Sequence, residues 1–298
     1  MMPQITKVEL MKEDGTSSFT VDQVKQLQKA APHIAFNYMV ELFGKTVSTA
    51  DEVVDFSKCD VSSEEALRSA LDILTHVSKV RVVGCDLKNE TLGAIQADYP
   101  NTKLVWRVYV AGNPYLTDEE MLFLSQSHLD NSNCGNLKYM TSAKYIDAGH
   151  SEQLTDVSWL AYMPELEILI LSGSPIRDIS AMSVCTKLEW LELTFCNYLS
   201  DISVVKNLTS LRFLNIGYTA VSDISAVNDL PLERFHALST DAPHADYEAY
   251  KEAHPDCWTT YKGSKQPYGY GWRYDDHGYT YFEYYQKIRD IFDYDSRI

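Results

Sequence analysis

Apolar residues recur between residues 143 and 240 at intervals of 21 to 23. Leu166, Leu188, Leu211 and Leu232 head four successive units, spaced 22, 23 and 21 apart. Each opens on L-x-x-L-x-L or a close variant: Leu166/Leu169/Leu171, Leu188/Leu191/Leu193, Leu211/Leu214/Ile216 and Leu232/Phe235/Ala237. A weaker copy precedes them at Ala143/Ile146/Ala148. Alternation inside L-x-L is the period of a strand, so each unit predicts one short strand with its leucines on one side. A fixed repeat of this length specifies coils stacked side by side, each burying its apolar side on its neighbours. After the strand comes a turn and then a D-V/I-S tripeptide: Asp156-Val157-Ser158, Asp178-Ile179-Ser180, Asp201-Ile202-Ser203 and Asp223-Ile224-Ser225. Asp or Ser before an apolar pair caps a turn of helix, and the plain role for these carboxylates is to accept nearby backbone N–H groups.

Upstream the units lengthen. Val54/Phe56 with Cys59 and Val80/Val82 with Cys85 lie 26 residues apart. The pattern predicts amphipathic helices over 62–74, capped by Ser62 or Ser63, and over 89–99, then a strand over 104–110. A second motif occurs three times: helical residues, a proline (Pro32, Pro100, Pro255), then an extended aromatic stretch. Proline ends the helix and sets the chain for a strand. The first and third copies flank the repeats and predict end caps. Residues 113–142 break the period and predict a connecting insertion. Residues 262–298 are rich in Tyr and Gly, and their second half places Tyr281, Tyr285, Ile288 and Phe292 on one helical face. The expected organisation is an N-terminal cap (1–50), longer repeats (51–112), the insertion (113–142), short repeats (143–240) and a C-terminal cap (241–298).

Cys59, Cys85 and Cys196 each follow a strand by three residues, in the Asn/Cys slot of the leucine-rich consensus L-x-x-L-x-L-x-x-N/C. No CxxC occurs, and these three cysteines are read as buried, reduced thiols. Residues 143–240, with units such as LEWLELTFCNYLSDISVVKNLTS, resemble the short bacterial leucine-rich repeats of the internalin-like class. From about residue 20 onward the chain resembles a group of bacterial leucine-rich repeat proteins. They share a helix-Pro-strand entry followed by FGK (Phe43-Gly44-Lys45), longer repeats, D-I-S repeats and a tail containing GWR (Gly271-Trp272-Arg273). The resemblance implies a right-handed α/β solenoid with a parallel sheet on its concave face. It says little about function, because one fold serves many partners. The sequence departs from the family where Ser151, Ser174, Cys196 and Thr219 replace the inward Asn, which puts the usual Asn ladder in doubt.

Charge narrows the partners. A net charge of −16 opposes binding to phosphate backbones, so nucleic acid is not expected. No apolar run is long enough to span a bilayer, and the first residues contain no apolar signal core. The protein therefore either stays in the cytoplasm or has lost a secretory leader. No G-x-S-x-G, HExxH, P-loop or G-x-G-x-x-G motif occurs, so no enzyme, cofactor or metal is expected.

The residues flanking the strand leucines alternate onto the concave face. One column reads Tyr145, Ile168, Trp190, Phe213 and Arg234, and the next reads Asp147, Ile170, Glu192, Asn215 and His236. A solvated sheet face should be polar, yet four members of the first column are large and apolar. The expectation is an aromatic stripe that binds a protein or peptide without catalysis. The anchors would be Tyr145, Trp190 and Phe213, with Arg234, Asp147 and Glu192 giving polar selection, and Ile168, Asn215 and His236 completing the ligand-binding set. Asp147 and Glu192 favour a partner carrying Lys or Arg. Beyond these columns come His150, Phe195 and Tyr218. The alternatives are cover of the stripe by the Tyr-rich tail, self-association or a structural surface role, and a hydrolase or carbohydrate-active protein using an acidic cleft.

Overall fold

The computed structural model describes residues 5–17, 19–262, 264, 270–275 and 280–297. The chain divides into two compact units, Met1–Val108 and Tyr109–Ile298.

In the N-terminal unit the helix Val21–Ala30 is closed at its start by a reciprocal cap between Thr20 and Gln23. The strand Ala35–Asn37 follows Pro32 and pairs in parallel with Lys7–Glu9. The hairpin Met39–Leu42/Lys45–Ser48 comes next. The longer repeats give a three-stranded parallel sheet of Val53–Asp55, Lys79–Arg81 and Lys103–Val105. Its crossovers are the helices Glu64–Ile73 and Asn89–Asp98. Ser63 caps the first by accepting the Ala66 N–H, as its position predicts. All three helix-Pro-strand segments form: helices end at Ala30, Asp98 and Ala253, and strands begin at Ala35, Lys103 and Trp258.

The C-terminal unit is an α/β leucine-rich repeat solenoid built on a seven-stranded parallel sheet. Its strands are Met121–Phe123, Tyr145–Asp147, Ile168–Ile170, Trp190–Glu192, Phe213–Asn215, Arg234–Ala237 and Trp258–Tyr261. Every strand pairs with its neighbours in sequence, in one unbroken register. Both ends go beyond the sequence reading. The segment 113–142, expected as a connection, supplies the first row through Met121–Phe123. Its Leu122 and Leu124, with Ser127 three residues later, repeat the layout of Leu191, Leu193 and Cys196. The strand Trp258–Tyr261, expected in the cap, is the seventh row.

The middle residue of each triplet points into the coils and is sealed: Leu122, Ile146, Leu169, Leu191, Leu214 and Phe235 are fully buried. The outer side is made of short 3-10 turns, Ser158–Tyr162, Ser180–Val184, Ser203–Asn207 and Ser225–Val227. Each begins with an Asp accepting the N–H of the Ser two residues on: Asp156–Ser158, Asp178–Ser180, Asp201–Ser203 and Asp223–Ser225, at 2.7–2.8 Å. Those bonds hold the Asp178, Asp201 and Asp223 carboxyls below their ordinary range. The inward slot makes its turn bonds without Asn in most coils, the exception being Ser174, whose buried hydroxyl has no hydrogen-bond partner. Ser127, Ser151 and Thr219 donate their hydroxyls to the carbonyl three residues back, at 2.6–2.8 Å. The Cys196 thiol reaches the Leu171 carbonyl of the previous coil at 3.4 Å.

Just before each slot residue the backbone turns left-handed. Gln126, His150, Gly173, Phe195, Tyr218 and Ser239 all have φ between 58° and 77°. Only one of these six is glycine, the residue that adopts this conformation without strain.

Candidate functional site

The first column forms as the spacing requires. Tyr145, Ile168, Trp190, Phe213 and Arg234 are register partners in consecutive strands, with Met121 before them and Trp258 after. The second column runs Phe123, Asp147, Ile170, Glu192, Asn215, His236 and Thr260. The candidate residues therefore do share one face.

That face is not open. Ile168, Trp190 and Phe213 are at most 1% exposed, and Asp147, Ile170, Glu192, Asn215 and His236 are also buried. They lie beneath the protein's own C-terminal segment. Its helix Glu283–Phe292 lays Tyr285, Ile288 and Phe292 on the row, and Trp272 completes the cluster. Around the Trp190 ring sit Trp272, Phe213, Tyr285, Tyr284 and Phe282, with centroids 4.8–6.0 Å away. An exposed stripe of this size would leave a large apolar patch in water, and the tail removes it. The expectation of a stripe free to meet a partner is thus corrected: its residues fill a core between sheet and tail.

The polar members are engaged by the same segment. Trp272 Nε1 donates to Glu192 Oε1 at 2.9 Å, and Arg273 Nη2 donates to Glu192 Oε2 at 2.6 Å. Ser172 adds its hydroxyl to Oε2 at 3.3 Å. Glu192 is fully buried, so this ion pair stands where desolvation is severe and a missing partner would be costly. Tyr294 donates its hydroxyl to Asp147 Oδ2, and Gly149 N–H donates to Oδ1. Burial raises the Asp147 carboxyl above its ordinary value, and those two bonds only partly oppose it. Arg234 Nη1 donates to the carbonyls of Gly271 and Tyr274, and its guanidinium lies 3.9 Å from the centre of the Phe282 ring. Asn215 accepts the Gly217 N–H at 3.0 Å. Burial pushes the His236 imidazole down to about 4, and its Nδ1 has no hydrogen-bond partner.

The sequence pointed to a partner carrying Lys or Arg, and an arginine, Arg273, arrives from within the chain. Trp272, Arg273, Tyr284 and Tyr294 are not among the site residues that the sequence offers. Of these, only Trp272 and Arg273 carried a signal, as part of the GWR triplet, and nothing in their spacing pointed to Glu192.

A different aromatic row stays open. Phe195 and Tyr218 sit on consecutive left-handed turns, their rings stacked at 4.4 Å with 13° between planes. They are 53% and 37% exposed. Tyr198, on the same coil as Phe195, is also 53% exposed and carries the Arg177 guanidinium 4.4 Å from its ring centre. Exposed His150 occupies the same turn position two coils earlier. Among the described residues no group of three or more His, Cys, Asp or Glu is placed to hold a metal ion. No described helix is long and apolar enough to cross a membrane.

No family model matches this chain, and no curated protein matches it. Solved structures of similar fold include an internalin of Listeria monocytogenes, 20% identical over 86% of this chain and 79% of that one, with a TM-score of 0.45. An internalin C2 of the same species is 17% identical over 73% and 85%, with a TM-score of 0.40. A leucine-rich repeat protein of Leptospira interrogans is 10% identical over 70% and 59%, with a TM-score of 0.29. At these identities the likeness concerns fold alone. The fold itself is read from the strand register, in which seven coils of 21 to 24 residues form one parallel sheet.

Proposed function

We propose that this protein recognises another protein, without catalysis, through the turn edge that carries Phe195, Tyr198 and Tyr218. The observation that carries this reading is the stacked Phe195–Tyr218 pair, held in water on left-handed backbone. A bulky residue in that conformation is strained by about 1 kcal/mol, and glycine at the same turn position, as at Gly173, avoids it. Strain and exposure together at aromatic residues favour a role outside the fold. Aromatic side chains near the middle of an interface supply much of its binding energy. Arg177 over Tyr198 adds a cation beside the rings, in a chain that is otherwise strongly acidic.

The test compares two double variants in pull-downs from the native host, with bound protein quantified. Phe195→Ala with Tyr218→Ala is expected to abolish capture while the thermal transition stays close to wild type. Trp190→Ala with Phe213→Ala is expected to lower the thermal transition sharply, because those side chains are core. Undiminished capture by the Phe195/Tyr218 variant would falsify this reading.

A further inference from the structure

The sheet face and the C-terminal segment relate to each other as a groove and its ligand. The contacts have the form of helix-in-groove recognition: Tyr285, Ile288 and Phe292, spaced i, i+3, i+7, all enter the apolar row. Two further contacts are charged or polar and specific. Arg273 pairs with fully buried Glu192, and Tyr294 with Asp147. None of these interactions depends on which molecule the segment belongs to. The groove cannot stay empty, because that would open the row Ile168–Trp190–Phe213 to water and leave Glu192 without its cation.

We propose that this face is a binding groove for the chain's own C-terminal segment, and that a second copy can supply that segment in trans. The occupant is the tail of another molecule, its described residues 270–275 and 280–297 seated with Trp272 and Arg273 on Glu192, Tyr294 on Asp147 and the Tyr285/Ile288/Phe292 face on the row. Each site in such a pair is completed by the partner copy. The segment's attachment gives the intramolecular arrangement an effective concentration in the millimolar range, so exchange grows as protein concentration approaches it. Exchange of one element between identical chains needs no new surface, since every contact already exists within one molecule. This inference rests on the covered face and is independent of the exposed row at Phe195 and Tyr218.

Reversing the Arg273–Glu192 ion pair one partner at a time tests it. In Glu192→Arg, groove and tail both carry arginine at this point. In Arg273→Glu, both carry glutamate. Mixed together, each tail finds the opposite charge only in the other molecule. Light scattering is expected to show each variant alone as a monomer and the mixture as a one-to-one dimer that dissociates on dilution. A mixture that stays monomeric, although both variants melt cooperatively, overturns the proposal. Should either variant not fold, a peptide of residues 270–297 titrated onto Ile288→Asp decides the matter. That substitution loosens the resident helix while leaving Glu192 and Asp147 in place. The peptide should bind it about a hundredfold more tightly than it binds wild type, whose own tail competes. Equal or undetectable binding to both proteins also overturns the proposal.

Discussion

Two aromatic rows run along the same solenoid at the same repeat spacing, and they have opposite fates. Trp190 and Phe213 project from consecutive strands, and so do their neighbours in the row. Phe195 and Tyr218 project from the turns of those same two coils, five residues further on. The first pair is at most 1% exposed, under a helix of the chain itself. The second pair stands in water, 53% and 37% exposed, among the described residues. Repetition therefore creates rows but does not decide their use. What decides it is whether another part of the chain has a face to match. Tyr285, Ile288 and Phe292 match the strand row, and Arg273 matches the carboxylate beside it.

The difference should show most strongly when the same substitution is made in each row. Trp190→Ala is expected to destabilise the protein by about 4 kcal/mol, the range for emptying an aromatic site in a core. Phe195→Ala should change stability by about 1 kcal/mol or less, as surface substitutions do. Urea unfolding measures both, and equal effects would erase the distinction between the rows.

Acid sharpens the contrast next. Native His236 is held neutral by burial down to about 4, whereas an unfolded histidine takes its proton near pH 6.5. Between these values the unfolded chain binds a proton that the native face refuses. The resulting stabilisation is complete above pH 6.5 and disappears as pH falls towards 4. Lowering the pH from 7 to 5 is expected to remove about 2 kcal/mol. Asp147 acts in the other direction. Its raised carboxyl keeps a proton that the unfolded chain releases, so its contribution is lost as pH rises from 3.8 through the native value. Urea midpoints at the two pH values should differ for wild type and converge for His236→Gln. The exposed row contains no comparable buried titrating group, and Phe195→Ala should leave the pH profile unchanged.

The smallest effect concerns backbone. Phe195→Gly relieves the left-handed strain at φ 60° and adds freedom to the unfolded chain, so the two changes oppose. Stability should stay within about 0.5 kcal/mol of wild type, measured by the same unfolding curves. A loss of several times that amount would mean the ring is structural, and the open row would lose its claim to a separate role.

Much of this architecture can be read from residue spacing. The columns Tyr145 to Arg234 and Asp147 to His236 emerge from the leucine period alone, because a strand's alternation and a fixed coil length leave one register. The caps of the 3-10 turns follow from D-V/I-S for the same local reason. The first row is hidden because Glu119 stands where the later units carry their lead leucine and the next coil is 24 residues long, although Leu122, Leu124 and Ser127 fit. The covering of the stripe was harder to read. Contacts between Trp272 and Glu192 or Tyr294 and Asp147 join residues 80 and 147 apart, and no period links them. The amphipathic helix near the end was legible, but its apolar face announced only that it packs on something.

The tail also changes how the solenoid must come apart. Stacked coils ordinarily couple only to their neighbours, so such arrays can fray from either end. Here one segment touches the last rows, where Arg234 holds Gly271 and Tyr274, and also the first, where Phe292 and Tyr294 meet Phe123. It works like a brace fixed at both ends of a row of books. Removing an outer coil then means lifting the brace from the middle coils as well, and what would be piecemeal loss becomes a single event.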